Sequence, residues 1–309
     1  MSDTDTLIAF GDEVQDARTE GRPIVALEST IITHGLPRPQ NATIARAVEQ
    51  RVRDAGATPA TIAIVDGRIQ VGLDPDELDR LASDEDARKA SVRDIAVLAH
   101  LGRTGSTTVA ATAHIARLAG IDVFATGGIG GVHRDAAQTW DESADLAALA
   151  RISMIVVSSG IKSILDVGAT LEKLETLGVG VCGYGAHKVP GFYLSELDYP
   201  LDVVIDNPQQ AAALFRLRRT LGDPAALLVF QPVPTDQQMS VDLHDHVLAE
   251  GLQYVADRGI SGKDVTPQLL SYFRTHTDGE SLRVNTALIL NNAALAAQIA
   301  VQLHEGTSS

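Results

Sequence analysis

Cysteine is nearly absent: Cys182 is the single one among 309 residues. No intrachain disulfide can form, which fits a reducing compartment and a cytoplasmic location. Aromatic residues make up only 4% of the chain, too few for the stacking platform of a single-strand nucleic-acid binder. Positive charge is in deficit, with 25 Lys and Arg against 40 Asp and Glu and a formal net charge of −15. Such a surface repels polyanions, which excludes a nucleic-acid polymer as partner but leaves room for a small phosphorylated molecule in a locally positive pocket. No uninterrupted apolar run reaches the length of about 18 residues that a membrane span needs, so none is expected. The opening residues, Met1 to Thr6, are acidic and lack the basic and apolar regions of a signal peptide.

What is present is ordinary globular material, 45% hydrophobic and 21% charged. The absence of an internal repeat, a low-complexity tract or a linker favours one domain over residues 1–309. Residues 1–20 read as a polar lead-in or a short helix around Leu7 to Ala17. Ile24 to Leu27 is a buried strand, and Asn41 caps a helix to about Ala55. Ala60 to Val65, Asp66-Gly67 and Arg68 to Val71 spell a hairpin with a tight turn. Helices follow over Asp74–Ala82, from Ser91 to Gly102, and over Thr107–Ala119. Strands at Ile121–Ala125, Met154–Val157, Val179–Cys182, Val203–Ile205 and Leu227–Phe230 then alternate with helices near Asp141, over Lys162–Leu177 and over Pro208–Thr220. Three helices, near Val241–Ala256, Thr266–Thr275 and Ser281–Leu303, end the chain. This alternation predicts an α/β fold, a three-layer α/β/α sandwich whose central sheet is largely parallel and is mixed by the hairpin.

In such sheets ligands gather at the carboxyl ends of strands. Lys162 follows a strand and a glycine there and opens the predicted helix. Burial and the helix field would lower its pKa and free the amine for imine chemistry, whereas a solvated surface lysine fits the same segment. Asp166, one turn on, either orients it or forms an i,i+4 pair. Thr126-Gly127-Gly128-Ile129-Gly130-Gly131-Val132-His133-Arg134 offers backbone amides as an anion nest, or else is a tight loop needing positive φ angles. His133 stands where a dinucleotide fingerprint requires its third glycine, so no such nucleotide site is expected. Asp141 and Asp145, on one face of a helix start, could hold a hard divalent ion or serve as an acidic cap.

Glu28 directly follows a buried strand, and partial burial would raise its pKa and make it a proton donor. It could equally be an exposed strand-end glutamate, and the nearby His34 either polar lining or a plain loop histidine. Lys89, Arg93, Thr107 and Thr108 are candidates for phosphate contacts, the threonines at a helix start. Asn285, Asn291 and Asn292 have offsets that allow one helix face, for a site or for buried backbone groups. His244 and His246 diverge by roughly 200° around a helix, so a shared metal is not expected.

Together these segments resemble the pseudouridine-5′-phosphate glycosidase family, which includes the accessory proteins of indigoidine clusters. The resemblance runs from about Pro23 to Leu303. It rests on VALESTIITHGLPRPQN (25–41), TPATIAIVDGRIQVGL (58–73), FATGGIGGVHR (124–134), DESADL (141–146), GIKSILD (160–166) and LNNAALAAQIA (290–300). It implies that Glu28 is the proton donor and that Lys162 attacks C1′ of the ribose. Asp141 would carry a mostly water-coordinated Mn2+. Ser143, Ala144 and Asp145 would bind substrate beside that metal, with Lys89, Val109 and Asn285 as further contacts. Thr126 and His133, flanking the glycine run, are also candidate substrate contacts. The implied protein is a homotrimer that reversibly converts pseudouridine 5′-phosphate and water to uracil and ribose 5-phosphate. The C1′–C5 bond offers no electronegative leaving atom, so an imine at C1′ suits it better than the paired-carboxylate route of O-glycosides. Two departures stand out: Arg283 replaces an expected lysine, and residues 184–188 are less typical. Alternatives are another Schiff-base enzyme on sugar phosphates and a non-catalytic accessory protein of the same fold. An RNA pseudouridine synthase is disfavoured by the acidic charge.

Overall fold

Apolar runs without alternation form strands buried on both faces. Val123–Ala125, Ile155–Ser158 and Leu227–Phe230 are strands of this kind, with every residue buried. The computed structural model describes residues 7–306, and the acidic Met1–Thr6 stretch lies outside them. The chain enters through β1 (Ile8–Phe10), α1 (Asp12–Glu20), β2 (Ile24–Leu27), a π-helical turn (Ile31–Gly35) and α2 (Gln40–Asp54). The hairpin β3 (Thr58–Val65) and β4 (Arg68–Val71) leads to α3 (Pro75–Ser83), β5 (Arg88–Ala90), α4 (Val92–Leu101), β6 (Gly105–Thr107), α5 (Val109–Leu118) and β7 (Val123–Ala125). Short helices α6 (Ala136–Thr139) and α7 (Ala144–Leu149) precede β8 (Ile155–Ser158), α8 (Val167–Thr176), β9 (Gly180–Tyr184), β10 (Val204–Ile205), α9 (Pro208–Thr220) and β11 (Leu227–Phe230). Then come α10 (Val241–Asp257), a 3-10 turn (Gly262–Asp264), α11 (Val265–His276) and α12 (Glu280–Glu305).

One 11-stranded sheet runs in the order β1-β4-β3-β2-β7-β8-β11-β9-β10, and β6 joins β3 to β5. The stretch from β3 through β2, β7, β8, β11 and β9 to β10 is parallel. Strands β4 and β6 run antiparallel to β3 and make the sheet mixed, as expected. The hairpin turns on Asp66 (φ 49°) and Gly67 (φ 80°), the positive pair that a tight two-residue turn needs. Helix α12 is long and apolar enough to cross a membrane by composition. It is the central core helix instead, packed on β2, β7 and β8 between α2 and α9.

Four expectations are corrected. Ile8–Phe10 is a strand, because three residues suffice to pair with Ile69–Val71 at the sheet edge. Thr107, expected to open a helix, closes strand β6, which pairs with the strand β5 that carries Lys89; two three-residue strands are too short to leave a periodic signal. Asn41 is inside α2 and not its cap; its Nδ2 donates to the carbonyls of Ile32 (2.9 Å) and Ala82 (2.8 Å). The helix expected at Lys162 begins only at Val167.

Candidate active site

The carboxyl ends of parallel strands β2, β7 and β8 open into a cavity of about 1100 Å³. Glu28 leaves β2 and lines it; Lys162 enters on the loop after β8, and Lys89 reaches it from β5. Val109 at the first turn of α5, Ser143, Ala144 and Asp145 at the start of α7, and Asp141, His133 and Asn285 line it too. Thr126 stands just behind, donating a hydrogen bond from its hydroxyl to Glu28 Oε1. The site residues that the resemblance implies therefore come together, although they lie on seven separate segments; of the phosphate candidates Arg93 and Thr108 also line the cavity and Thr107 does not.

Their charges interact. Burial pushes the Glu28 carboxyl above its usual range; the positive charges of Lys162 and Lys89 and the Thr126 hydrogen bond oppose this, while Asp145 adds to it. Glu28 is therefore a buried acid suited to donate a proton, and the exposed strand-end alternative falls. Burial and the charge of Lys162 hold the Lys89 ammonium below its ordinary range, against the pull of Asp145, Glu28 and Asp264.

The helix field expected at Lys162 is missing. The lysine lies five residues before α8, its amide bonded to the Ile129 carbonyl at 3.2 Å. Asp166 neither orients it nor pairs with it: the carboxylate caps α8, accepting the Ala169 amide at 3.0 Å. A Gly-Ile-Lys-Ser stretch with a single turn bond, from the Leu165 amide to the Lys162 carbonyl, reads as a helix start in sequence, because only the later cap tells the two apart.

The glycine run holds an anion, but the protein's own. Asp145 Oδ2 accepts the Gly130 amide at 2.9 Å and Oδ1 accepts the Ala110 amide at 2.9 Å. The amides of Thr126, Ile129, Val132 and His133 are likewise bonded within the protein. The first turn of α5 is partly satisfied in the same way, by Asp145 and by Thr108, which caps it. None of Gly127, Gly128, Gly130 and Gly131 has a positive φ. They are glycines because neighbours press on the backbone: a Cβ would meet Phe192 at 128, Ser143 and Asp145 at 130, and Thr170 at 131.

Asp141 precedes α7 rather than sharing a helix face with Asp145. Its Oδ2 stands 3.7 Å from His133 Nδ1. Burial holds the His133 imidazole below its ordinary pKa, with Asp141 opposing. Among the described residues no group of three His, Cys, Asp or Glu side chains forms a metal cluster. The asparagines divide. Asn292 ties the β7 and β8 loops, its Nδ2 donating to the Thr126 carbonyl (2.9 Å) and Ser159 Oγ (3.1 Å). Asn285 Oδ1 is buried without a partner at the cavity wall. His34 is a second such group: it lies in the π-helical turn and lines the cavity, and its Nε2 is buried and unpartnered. Phe192, not foreseen, walls the cavity over Gly128. None of residues 184–188 lines the cavity, and Arg283 pairs with Glu280 at 2.8 Å outside it.

A sequence profile described as indigoidine synthase A like protein matches residues 13–302. The chain belongs to the indigoidine synthase A-like family. A relative from Salinispora tropica named pseudouridine-5′-phosphate glycosidase is 57% identical over 295 residues, covering 95% of this chain and 91% of that one. A protein of the same name from Symbiobacterium thermophilum is 48% identical, covering 97% and 99%. Among solved structures, the prealnumycin C-glycosynthase AlnA in complex with ribulose 5-phosphate superposes with a TM-score of 0.90 at 37% identity, covering 98% of both chains. An indigoidine synthase A-like protein from Thermotoga maritima gives 0.88 at 33%, covering 96% and 97%. The family and the α/β fold expected from sequence both stand.

Proposed function

We propose that this enzyme is a pseudouridine-5′-phosphate glycosidase that breaks the C1′–C5 bond through an imine on Lys162. The observation that carries the reading is the convergence of a buried acid, Glu28, with two lysines and the anchored Asp145 in one cavity, in a chain whose relatives bear that name. Lys162 attacks C1′ as the C1′–O4′ bond opens and O4′ takes a proton; the C1′–C5 bond then breaks with its electron pair passing to C5 of uracil, which Glu28 protonates, leaving the lysine imine at C1′, and water hydrolyses that imine to ribose 5-phosphate and the free amine. Lys89 offers positive charge to the phosphorylated ribose. The unpartnered Asn285 Oδ1 offers an acceptor for a substrate N–H or hydroxyl. Asp145 keeps lone pairs toward the cavity while its bonds to Gly130 and Ala110 hold it still.

A manganese ion fits only as a water-rich guest. Asp141 is the carboxylate that would hold it, with water completing the shell, the donor set of a hard divalent cation. When bound, the ion would supply positive charge that orders water and substrate. The homotrimer remains part of this reading; Trp140, 86% exposed beside Asp141, is one of several exposed apolar groups that such an assembly could cover.

The name of the AlnA neighbour favours a second reading, in which the same carbon–carbon bond is made to an aglycone other than uracil. Incubating the protein with Mn2+ and pseudouridine 5′-phosphate, and separately with uracil and ribose 5-phosphate, decides between them. Interconversion is expected; no product in either direction with metal present removes the proposal.

A further inference from the structure

Beside Lys162 lies a hydrogen-bonded series, buried at Ser163 and His244 and reaching solvent at Asp245, that the chemistry above does not use. Ser163 Oγ stands 2.7 Å from His244 Nε2, and His244 Nδ1 stands 2.9 Å from Asp245 Oδ1. Ser163 and His244 are each 3% exposed. Because the Asp245 carboxylate can only accept, Nδ1 carries the imidazole proton and Nε2 of the neutral ring accepts from the Ser163 hydroxyl. The order serine, histidine, aspartate is that of a hydrolase triad, but Ser163 does not line the cavity and cannot meet a substrate carbonyl.

The serine sits on a loop that is gripped from several sides. The Arg134 guanidinium donates to the carbonyls of Ser163 (3.0 Å) and Ile164 (3.2 Å). The Asp166 amide donates to Val132 (2.9 Å), and the Leu165 amide returns to the Lys162 carbonyl (3.0 Å). His244 adds a side-chain anchor from α10. Its ring leans on Phe273 of α11 (centroids 5.7 Å apart), Phe273 stacks on Tyr193 (5.1 Å), and Tyr193 meets Phe192 of the cavity wall (4.7 Å). Helix α11 also lines the cavity itself, through Thr266, Pro267 and Leu270. Of these two packed helices, α11 thus walls the site and α10 holds the residue next to its lysine.

We propose that His244, acting through Ser163, is a positioning residue that fixes the Lys162 loop against the α10–α11 helix pair. A lysine stem is long and flexible, so the backbone that launches it must be held if the amine is to reach C1′ in a productive geometry. The proposal rests on Lys162 being the nucleophile, and its test is chosen to separate the two.

Ser163→Ala, His244→Leu, the double variant and His244→Gln are compared with the wild type. Turnover of pseudouridine 5′-phosphate, borohydride trapping with ribose 5-phosphate, melting temperature and amide exchange of residues 160–166 are measured. Ser163→Ala and His244→Leu should each lower kcat and the trapping rate about 10- to 100-fold while KM stays within about threefold. The double variant should be no worse than the poorer single, because both cut one link. His244→Gln, which keeps a polar group at the ε position, should recover most of the rate. Exchange in 160–166 should quicken about fivefold or more in the deficient variants, without ribose or nucleotide present. Wild-type-like kcat and exchange in Ser163→Ala, or losses that multiply in the double variant, overturn the proposal. If His244→Leu fails to fold, Ser163→Ala and His244→Gln carry the test. If the wild type turns over no nucleotide, the functional reading falls, while exchange in 160–166 still decides whether His244 holds the loop.

Discussion

The Asp145 carboxylate fills the space that a side chain at residue 130 would need. Its Oδ2 takes the Gly130 amide at 2.9 Å, and a Cβ on residue 130 would stand 2.7 Å from that oxygen and closer still to Ser143 Oγ. Both neighbours are short side chains on the start of α7 and cannot swing away without breaking the cap.

Gly130→Ala is therefore expected to displace Asp145 as well as to crowd the loop. Overpacking of this kind costs about 1–3 kcal/mol, readable as a lowered urea midpoint with unchanged slope. Activity should fall further than the stability loss explains, because Asp145 leaves its place. Full stability in Gly130→Ala would show that the loop has slack.

The pH dependence of Glu28 follows from its burial. Its folded-state pKa lies above that of the unfolded chain, with desolvation the main cause. The folded state then holds the proton more tightly, so stability falls as pH rises from the unfolded pKa through the folded one. Glu28→Gln removes the titration. It should equal the wild type in stability, to within its hydrogen-bonding change, at acid pH and gain on it above the Glu28 pKa, while losing turnover. Thr126→Val deletes a hydrogen bond that favours the carboxylate and should move the Glu28 pKa further up. Melting temperatures of the three proteins across pH check both signs; parallel curves would refute the assignment.

How much of this was legible in the sequence depends on the range over which each feature is encoded. The hairpin at Asp66-Gly67 and the strand before Glu28 are written locally, as turn chemistry and apolar runs, and both stand. Lys162 misled because a glycine and a lysine after a strand resemble a helix start, while the actual cap, Asp166, lay four residues on. The glycine run suggests either a nest for a foreign anion or a tight loop with positive φ angles, and neither holds; that Asp145 occupies it depends on packing between α5, α7 and the β7 loop, which no window of sequence contains. The Ser163–His244 contact spans 81 residues and left no pattern at all.

Asn285 separates function from stability. Its Oδ1 is buried with no partner, and such a group is costly to the fold unless a ligand meets it. Asn285→Ala should melt no lower than the wild type, and should weaken substrate binding or turnover by about tenfold or more, the effect of losing one hydrogen bond in a water-poor site. A large drop in melting temperature with normal kinetics would make the residue structural.

The two lysines of the cavity make opposing predictions for imine trapping. Lys89 is held below its ordinary pKa by burial first and by the charge of Lys162 second, so pKa alone would make it a competing amine. Geometry favours Lys162, which stands on the loop at the carboxyl end of β8, whereas Lys89 comes from β5 beyond β3. Borohydride reduction with ribose 5-phosphate should therefore label Lys162 alone. Lys188, paired with Asp198 at 3.2 Å and outside the cavity, should stay free. Lys162→Ala should abolish trapping and turnover, and by removing a neighbouring positive charge it should raise the pKa of both Lys89 and Glu28. Lys89→Met should still trap at Lys162, more slowly, with its loss mainly in binding. A label on Lys89 in the wild type, with Lys162 unmodified, would exchange the roles of the two residues and leave the cavity, the acid and the reaction in place.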